Sequence, residues 1–379
     1  MKRRMAVGTV LALTLAGCGG ETTTNADGTT ATGGKIFIGV AGPISGAQAV
    51  FGEDMIRSAQ LAVDEINAQG GVLGKTIEIV PGDDQGDARQ AATVAQKMTS
   101  TDGLVGVVGH FNSGCSIPAS QVYKRADLVM LSPGSTSPTL TEQGFKNVFR
   151  LVGRDDQQGP LSANFAIQQL KSKTVAILND KTAYGQGLAE AFRKSIEAGG
   201  VKVVIFEGVN QGERDFRAVL TKIKGLNPDS LFFGGVFTEA GLIVSQAREL
   251  GLTANFLSGD GTQVQSFIDT VGTKSSKIFV TGVRTINSEE FLATYKSKYK
   301  ESPTAFGTYT YDATRILLAA IARAGSVDRV KVTEAVRATK DFQGLGGTIN
   351  FDAKGDPATA PFDVFTVQDK KFVTVTPTA

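Results

Sequence analysis

From Lys35 onward, short apolar runs alternate with amphipathic helical stripes, and few folds accept that order. Residues 36–40 form an apolar run closed by Gly42-Pro43. Met55, Ala59, Ala62, Val63 and Ile66 then fall on one helical face that stops at Gly70-Gly71. Strand 76–80, helix 87–98, strand 104–109, a short helix, and strands 128–131 and 148–152 complete a first series. A second series begins near Arg154 with helix 160–170 and strand 174–178. It continues through helix 184–198, strand 201–206, helix 213–224, strand 230–233, helix 238–250 and strand 255–257. Such alternation predicts an α/β fold with a doubly wound parallel sheet in each series. From about Thr285 the chain turns helical (289–299, 306–324, 329–338) and closes on extended pieces 348–351 and 362–367. That return predicts one crossing back to the first unit and another to the second.

Within the first series, 104–136 carries the most chemistry. Two apolar strands each run into a loop of Ser, Thr, Gly and Asn expected to open a helix. Such loops present N–H groups and hydroxyls at the carboxyl edge of a parallel sheet, a seat for a small anion. The two series also echo each other. Phe51-Gly52 opens one long helix ending in Gly-Gly, and Tyr184-Gly185 opens another. Duplicated lobes with a cleft between them follow from the echo.

The first 34 residues are of another kind. Lys2-Arg3-Arg4 precede an apolar stretch, 5–16, too short to span a bilayer, which predicts an export signal. It ends Leu15-Ala16-Gly17-Cys18, similar to a bacterial lipobox in which Cys18 is lipidated. The polar stretch that follows suits a flexible tether. Removing residues 1–17 takes away three positive charges and no negative one, so the formal charge falls from +2 to −1. No argument for nucleic acid survives that change. Cys115 has no second cysteine in the body, so an exported chain must be held by its core, and about 345 residues suit two domains.

Several motifs fail. Gly70 to Thr76 resembles a phosphate loop but is one residue short between its glycines, and it ends a helix instead of starting one. No G-x-G-x-x-G follows a strand, so no nucleotide cofactor is expected. His110, the one histidine of the chain, and Cys115 are the only candidates for a nucleophile–base pair. A structural hydrogen bond for His110 and packing for Cys115 are the plainer roles. One histidine and unclustered cysteines give no zinc site, and Asp83-Asp84 suits a turn or helix cap better than calcium.

Taken in order, the residues resemble the branched-chain amino-acid-type substrate-binding proteins of ABC importers, the leucine/isoleucine/valine-binding group with the type I periplasmic fold. The resemblance is carried by Ile44-Ser45-Gly46, Phe51-Gly52, Val63 to Asn67 with Gly70-Gly71, and Asp83-Asp84. It continues through Val108-Gly109-His110, Ser116 to Ser120 and Ser132 to Thr136. The second series adds Arg150, Asp156 to Pro160, Asn179-Asp180, Tyr184-Gly185, Asp215-Phe216, Gly234-Gly235 and Tyr311-Asp312-Ala313. It implies two lobes joined by a three-segment hinge, 35–153 with 285–358 and 154–284 with 359–379, after a signal (1–17) and tether (18–34).

The resemblance also implies roles. Ser113 and Thr136 match the residues that hold an amino acid's α-carboxylate, and Gly134 the one whose carbonyl accepts from the ammonium. Tyr184 closes over the ligand from the second lobe, and Asp260 stands where the group has an acidic ammonium partner, typically Glu. Phe51, Phe111 and Val236 fall at positions near the ligand's side chain, Val236 in place of a Tyr. The cysteine pair of some relatives is missing, with Gly86 and Asn112 in its apparent places. A zwitterion needs donors at one end and acceptors at the other, and this set supplies both. Helix capping by Ser113 and Thr136 and core packing by Tyr184 are the plainer readings of the same residues.

The expected protein is thus a monomeric, lipid-anchored extracytoplasmic receptor. It would pass an amino acid, branched-chain or otherwise apolar, to ABC permease subunits, without cofactor or catalysis. The alternatives are a sensor of the same fold for an amide or aromatic acid, and a Cys115/His110 enzyme.

Overall fold

The computed structural model describes residues 34–286 and 288–375. The signal, Cys18 and all of the tether but its last residue lie outside the described residues. In chain order the first elements are β1 (Lys35–Gly42), α1 (Ala49–Ala68), β2 (Thr76–Asp83), α2 (Ala88–Thr99) and β3 (Leu104–Gly109). Then come α3 (Ser113–Arg125), β4 (Val129–Ser132), α4 (Thr139–Glu142) and β5 (Val148–Arg150). The strands form one parallel sheet in the order β2-β1-β3-β4-β5. Every residue of β3 and β4 is buried, as expected of apolar strands covered on both faces. The order in which strands are added reverses at β1, which lies between β2 and β3, so the crevice opens where β1 and β3 end.

The second lobe holds α5 (Asp155–Gln168), β6 (Thr174–Asn179), α6 (Ala183–Ala198), β7 (Lys202–Gly208), α7 (Arg217–Leu226) and β8 (Ser230–Gly234). It continues with α8 (Phe237–Glu249), β9 (Asn255–Ser258), a 3-10 turn (Asp260–Thr262), α9 (Gln265–Val271) and β10 (Ile278–Val283). The chain then adds α10 (Glu289–Tyr299), α11 (Gly307–Ala324) and α12 (Arg329–Arg337), which pack on the first lobe: α11 against α1 and β3, α12 against β3 and β4. A small hairpin of β11 (Phe342–Gly344) and β12 (Gly347–Ile349) follows. Finally β13 (Phe362–Gln368) and β14 (Lys371–Thr374) join the second sheet, ordered β14-β13-β10-β9-β8-β6-β7.

Local signals place several helix ends. Asp87 caps α2 by accepting the Arg89 and Gln90 N–H groups, and Thr182 caps α6 through Gly185 N–H. α1 stops where Gly70 and Gly71 take φ of 94° and 75°. Three segments link the lobes, between β5 and α5, between β10 and α10, and between β12 and β13. The first and third are tied together: the buried Arg150 donates to Asp356 at 2.6 Å, and Arg154 reaches the same carboxylate at 3.0 Å.

The structure corrects several expectations. The second sheet is not wholly parallel, because β13 runs antiparallel to both β10 and β14. Nothing in the sequence pattern assigned α9 or β10. α5 starts at Asp155 and not at Pro160: the Gln157 side chain accepts the Arg154 N–H at 3.2 Å, and Asp155 and Asp156 occupy the first turn, where acids are favoured. α7 starts at Arg217 and not at 213, since the Phe216 N–H is drawn to Gln246 of α8 at 2.7 Å. The loop after β4 opens only the four-residue α4, so it is no helix-dipole seat.

Candidate functional site

The carboxyl edges of the two sheets face each other across the cleft. On the N-terminal side, β3 delivers Phe111 and Ser113, and β4 delivers Gly134 and Thr136. On the C-terminal side, β6 leads to Tyr184, β8 to Val236 and β9 to Asp260. Phe111, Ser113, Gly134, Tyr184, Val236 and Asp260 line a single cavity with Asn112 and Gly261, and its volume is about 20 Å³. Six of the eight residues expected near a ligand therefore meet in one place. Phe51 stacks behind Phe111 with ring centroids 4.4 Å apart, and Thr136 lies one layer back, fully buried.

A web of hydroxyls fixes the N-terminal rim. Ser132 Oγ donates to the His110 carbonyl at 2.7 Å and accepts the Ser135 N–H at 3.0 Å. Ser135 Oγ donates to the Phe111 carbonyl at 2.8 Å, and Ser116 Oγ lies 2.6 Å from it. Arg150 Nη1 donates to the Ser135 carbonyl at 2.8 Å, bracing the same loop. Ser113 begins α3, but its Oγ accepts the Ser137 N–H at 3.2 Å, tying the two loops together, and Asn112 is the N-cap residue. Thr136 caps no helix either: α4 begins after Pro138, and the Thr136 Oγ1 is buried without a partner. The capping readings are thereby replaced. A Cβ at Gly134 would lie 2.5 Å from the Phe111 ring, so any larger residue there would displace that ring.

The C-terminal rim is acidic. Tyr184 donates its hydroxyl to Asp260 Oδ1 at 2.7 Å and accepts the Gly261 N–H at 2.9 Å. Burial pushes the Asp260 carboxyl up to about 6, against the opposing effect of the Tyr184 hydroxyl. Gly185 lets the start of α6 pack against the end of β8, since a Cβ would lie 2.4 Å from the Gly234 carbonyl. Asp155, at the start of α5, is also buried, and both of its carboxylate oxygens lack a hydrogen-bond partner. Its carboxyl is pushed well above the usual range by burial and then by the charge of Asp260.

Sequence reasoning missed Asp155. The helix was expected to begin at Pro160, which left Asp155 in a connecting segment with no role, whereas the structure buries it in the first turn of α5. It also missed two phenylalanines. Phe237, the first residue of α8, meets the Phe51 ring edge-on at 5.6 Å, and Phe306 meets Phe111 at 4.9 Å. With Phe51 and Phe111 they make an apolar wall drawn from both lobes.

His110 and Cys115 do not form a nucleophile–base pair. The two imidazole nitrogens are engaged by Asp84 (2.6 Å) and the Tyr123 hydroxyl (2.9 Å), all three groups fully buried or nearly so. The Cys115 thiol is pushed up, first by burial, away from the thiolate form a nucleophile needs. Asp83 and Asp84 act in turns, accepting N–H groups from Ser45, Gln85 and Gly86. Two wider cavities, about 600 and 640 Å³, lie away from these edges. On their walls Arg284 pairs with Asp363 at 2.9 Å and Glu301 with Arg57 at 2.6 Å.

A two-lobed α/β fold with its polar residues gathered at the facing sheet edges defines a class of cleft-binding receptors. The sequence model of the family described as "Periplasmic binding protein" matches residues 35–371, and the chain belongs to that family. It is 39% identical over 333 residues to a Leu/Ile/Val-binding protein homolog of Brucella abortus, covering 87% of this chain and 90% of the relative. Its fold is similar to that of a leucine binding protein, LivK, from Thermotoga maritima. That match has a TM-score of 0.84 at 31% identity and covers 90% of this chain and 98% of the other. It is similar again to LivJ of Streptococcus pneumoniae, a branched-chain amino acid transporter substrate-binding protein in complex with isoleucine. There the TM-score is 0.82 at 30% identity, covering 90% and 100% of the two chains.

Proposed function

We propose that this chain is an extracytoplasmic solute-binding lipoprotein of an ABC importer, capturing an apolar, branched-chain-type amino acid between its lobes for delivery to a permease. One observation carries the reading. The Ser113 hydroxyl and the Gly134 backbone face Tyr184 and the buried Asp260 carboxyl across one cavity that Phe111 and Val236 also line, a mix of polar ends and apolar wall that suits an apolar zwitterion. Ser113 and Thr136 hold the α-carboxylate, the Gly134 carbonyl and Asp260 hold the ammonium, and Tyr184 orients Asp260. Phe51, Phe111, Val236 and Phe237 surround the side chain. Docking on the N-terminal rim precedes closure about a hinge at 153/154, 284/285 and 358/359. Cys18 carries the lipid, and the receptor acts as a monomer. Micromolar affinity requires about 8 kcal/mol, within reach of several charge-assisted bonds in a dry cleft.

A thermal-shift screen against the twenty amino acids, simple amides and benzoate tests this. Stabilisation by leucine, isoleucine or valine is expected. Stabilisation by an amide or by benzoate, with none from any amino acid, would replace the reading with a sensor of another ligand.

A further inference from the structure

The cluster of His110, Asp84 and Tyr123 has no task in that account. All three side chains are fully buried, and a buried polar network is stable only where its members answer one another. His110 Nδ1 lies 2.6 Å from Asp84 Oδ2, and Nε2 lies 2.9 Å from the Tyr123 hydroxyl, so both ring nitrogens are engaged. The two anchors are themselves fixed. The Asp84 N–H donates to the Gly42 carbonyl at 3.0 Å, and Asp84 Oδ1 accepts the Gly86 N–H at 2.9 Å. The Tyr123 ring stacks on the imidazole with centroids 5.9 Å apart. His110 is thus clamped between the end of β2 and the helix α3.

The carbonyl of the same residue is where the rim hydroxyls meet. It accepts from Ser132 Oγ at 2.7 Å, from Ser116 Oγ at 3.1 Å and from Ser135 Oγ at 3.4 Å. One carbonyl therefore joins α3, which begins at Ser113, to the loop that carries Gly134 and Thr136. Because the peptide unit is planar, its orientation also sets the course of Phe111, Asn112 and Ser113, three successive residues on the cavity wall. Resting on the amino-acid reading above, we propose that His110 is a positioning residue for the ligand's α-carboxylate. The imidazole is buried away from the cavity. It acts by holding its own carbonyl, and through it Ser113 and the loop of Thr136, at the spacing a carboxylate requires. Loosening the clamp weakens recognition of the carboxylate and leaves Asp260, on the other lobe, as it was.

The test compares leucine with leucinol, which keeps the amine and side chain but lacks the carboxylate. Calorimetry measures both on the wild type, His110→Gln and Tyr123→Phe. The preference for leucine should shrink at least about fivefold in either variant, the effect of one displaced hydrogen bond. A smaller change in both overturns the proposal. Ile223→Ala, in the buried core of the other lobe, controls for lost stability. A preference that falls as far there overturns the proposal too. Should neither variant fold, or leucinol bind too weakly to measure, nitrogen NMR of the wild type decides. His110 is the one histidine of the chain, so its two ring signals need no assignment. Saturating leucine should move them, because a carboxylate seated on the rim alters the bonds at the His110 carbonyl, and unmoved signals overturn the proposal. A wild type that binds no amino acid at all is a distinct outcome, and it overturns the underlying reading of the cleft.

Discussion

On the N-terminal rim the Ser116 and Ser135 hydroxyls pair with each other, and Ser132 and Ser135 donate to the carbonyls of His110 and Phe111, with Arg150 bracing the loop from behind. On the C-terminal rim Asp260 accepts from the Tyr184 hydroxyl, while both Asp155 carboxylate oxygens, Gln158 Oε1 and Asp180 Oδ2 are buried without partners among the described residues. Both rims arise from the same topology, loops at the carboxyl ends of parallel strands. One is largely knit together by its own hydrogen bonds, with the Thr136 hydroxyl and the Asn112 amide oxygen left unpaired among the described residues. The other carries buried charge that the fold itself does not neutralise. A ligand that seats on the first and brings a cation to the second therefore gains most of its differential energy on closure, the condition for a ligand-driven shift.

The contrast can be broken most sharply at Asp260. Asp260→Ala removes an ammonium partner, and amino-acid affinity measured by calorimetry should fall by more than ~2 kcal/mol. Unchanged affinity would mean that the acidic rim does not read the ammonium. On the other side, Thr136→Val keeps the shape and removes one buried hydroxyl. A smaller loss of about 1 kcal/mol is expected, with folding intact.

A pH experiment sharpens the comparison without any ligand. Burial holds the proton on the folded Asp260 carboxyl to about 6, against the ordinary aspartate value of 3.8. The folded state therefore binds more protons between those values, and this group's contribution lowers stability as pH rises from about 4 to 6. Asp54, Asp180 and Asp312 are pushed to about 6 by burial in the same way, so the readout is the difference between proteins. The melting temperature of Asp260→Asn should decline less than that of the wild type over this interval, while Ser113→Ala should follow the wild type. Parallel curves for all three would remove the charge asymmetry. The smallest effect is expected at Cys115→Ser: with His110 held by Asp84 and Tyr123, ligand affinity should not move beyond calorimetric error.

Much of the fold was legible in local pattern. Helix α1 with its Gly-Gly stop, the buried runs of β3 and β4, and the helical return over α10 to α12 all announce themselves through periodicity and end signals. The site was legible in part, because Ser113, Gly134, Tyr184 and Asp260 follow strands, and parallel topology carries strand ends to one edge. Asp155, Phe237 and Phe306 were not, for each opens or precedes a helix and has an ordinary local explanation there.

By itself, then, the sequence determined the alternation of elements, the two lobes and the loops that form each rim, because these follow from side-chain period and turn chemistry between near neighbours. Tertiary structure alone decided which polar groups lose their partners. Burial of Asp155 beside Asp260, 105 residues further along the chain, depends on how two separately folded sheets face each other, and no local pattern encodes that distance.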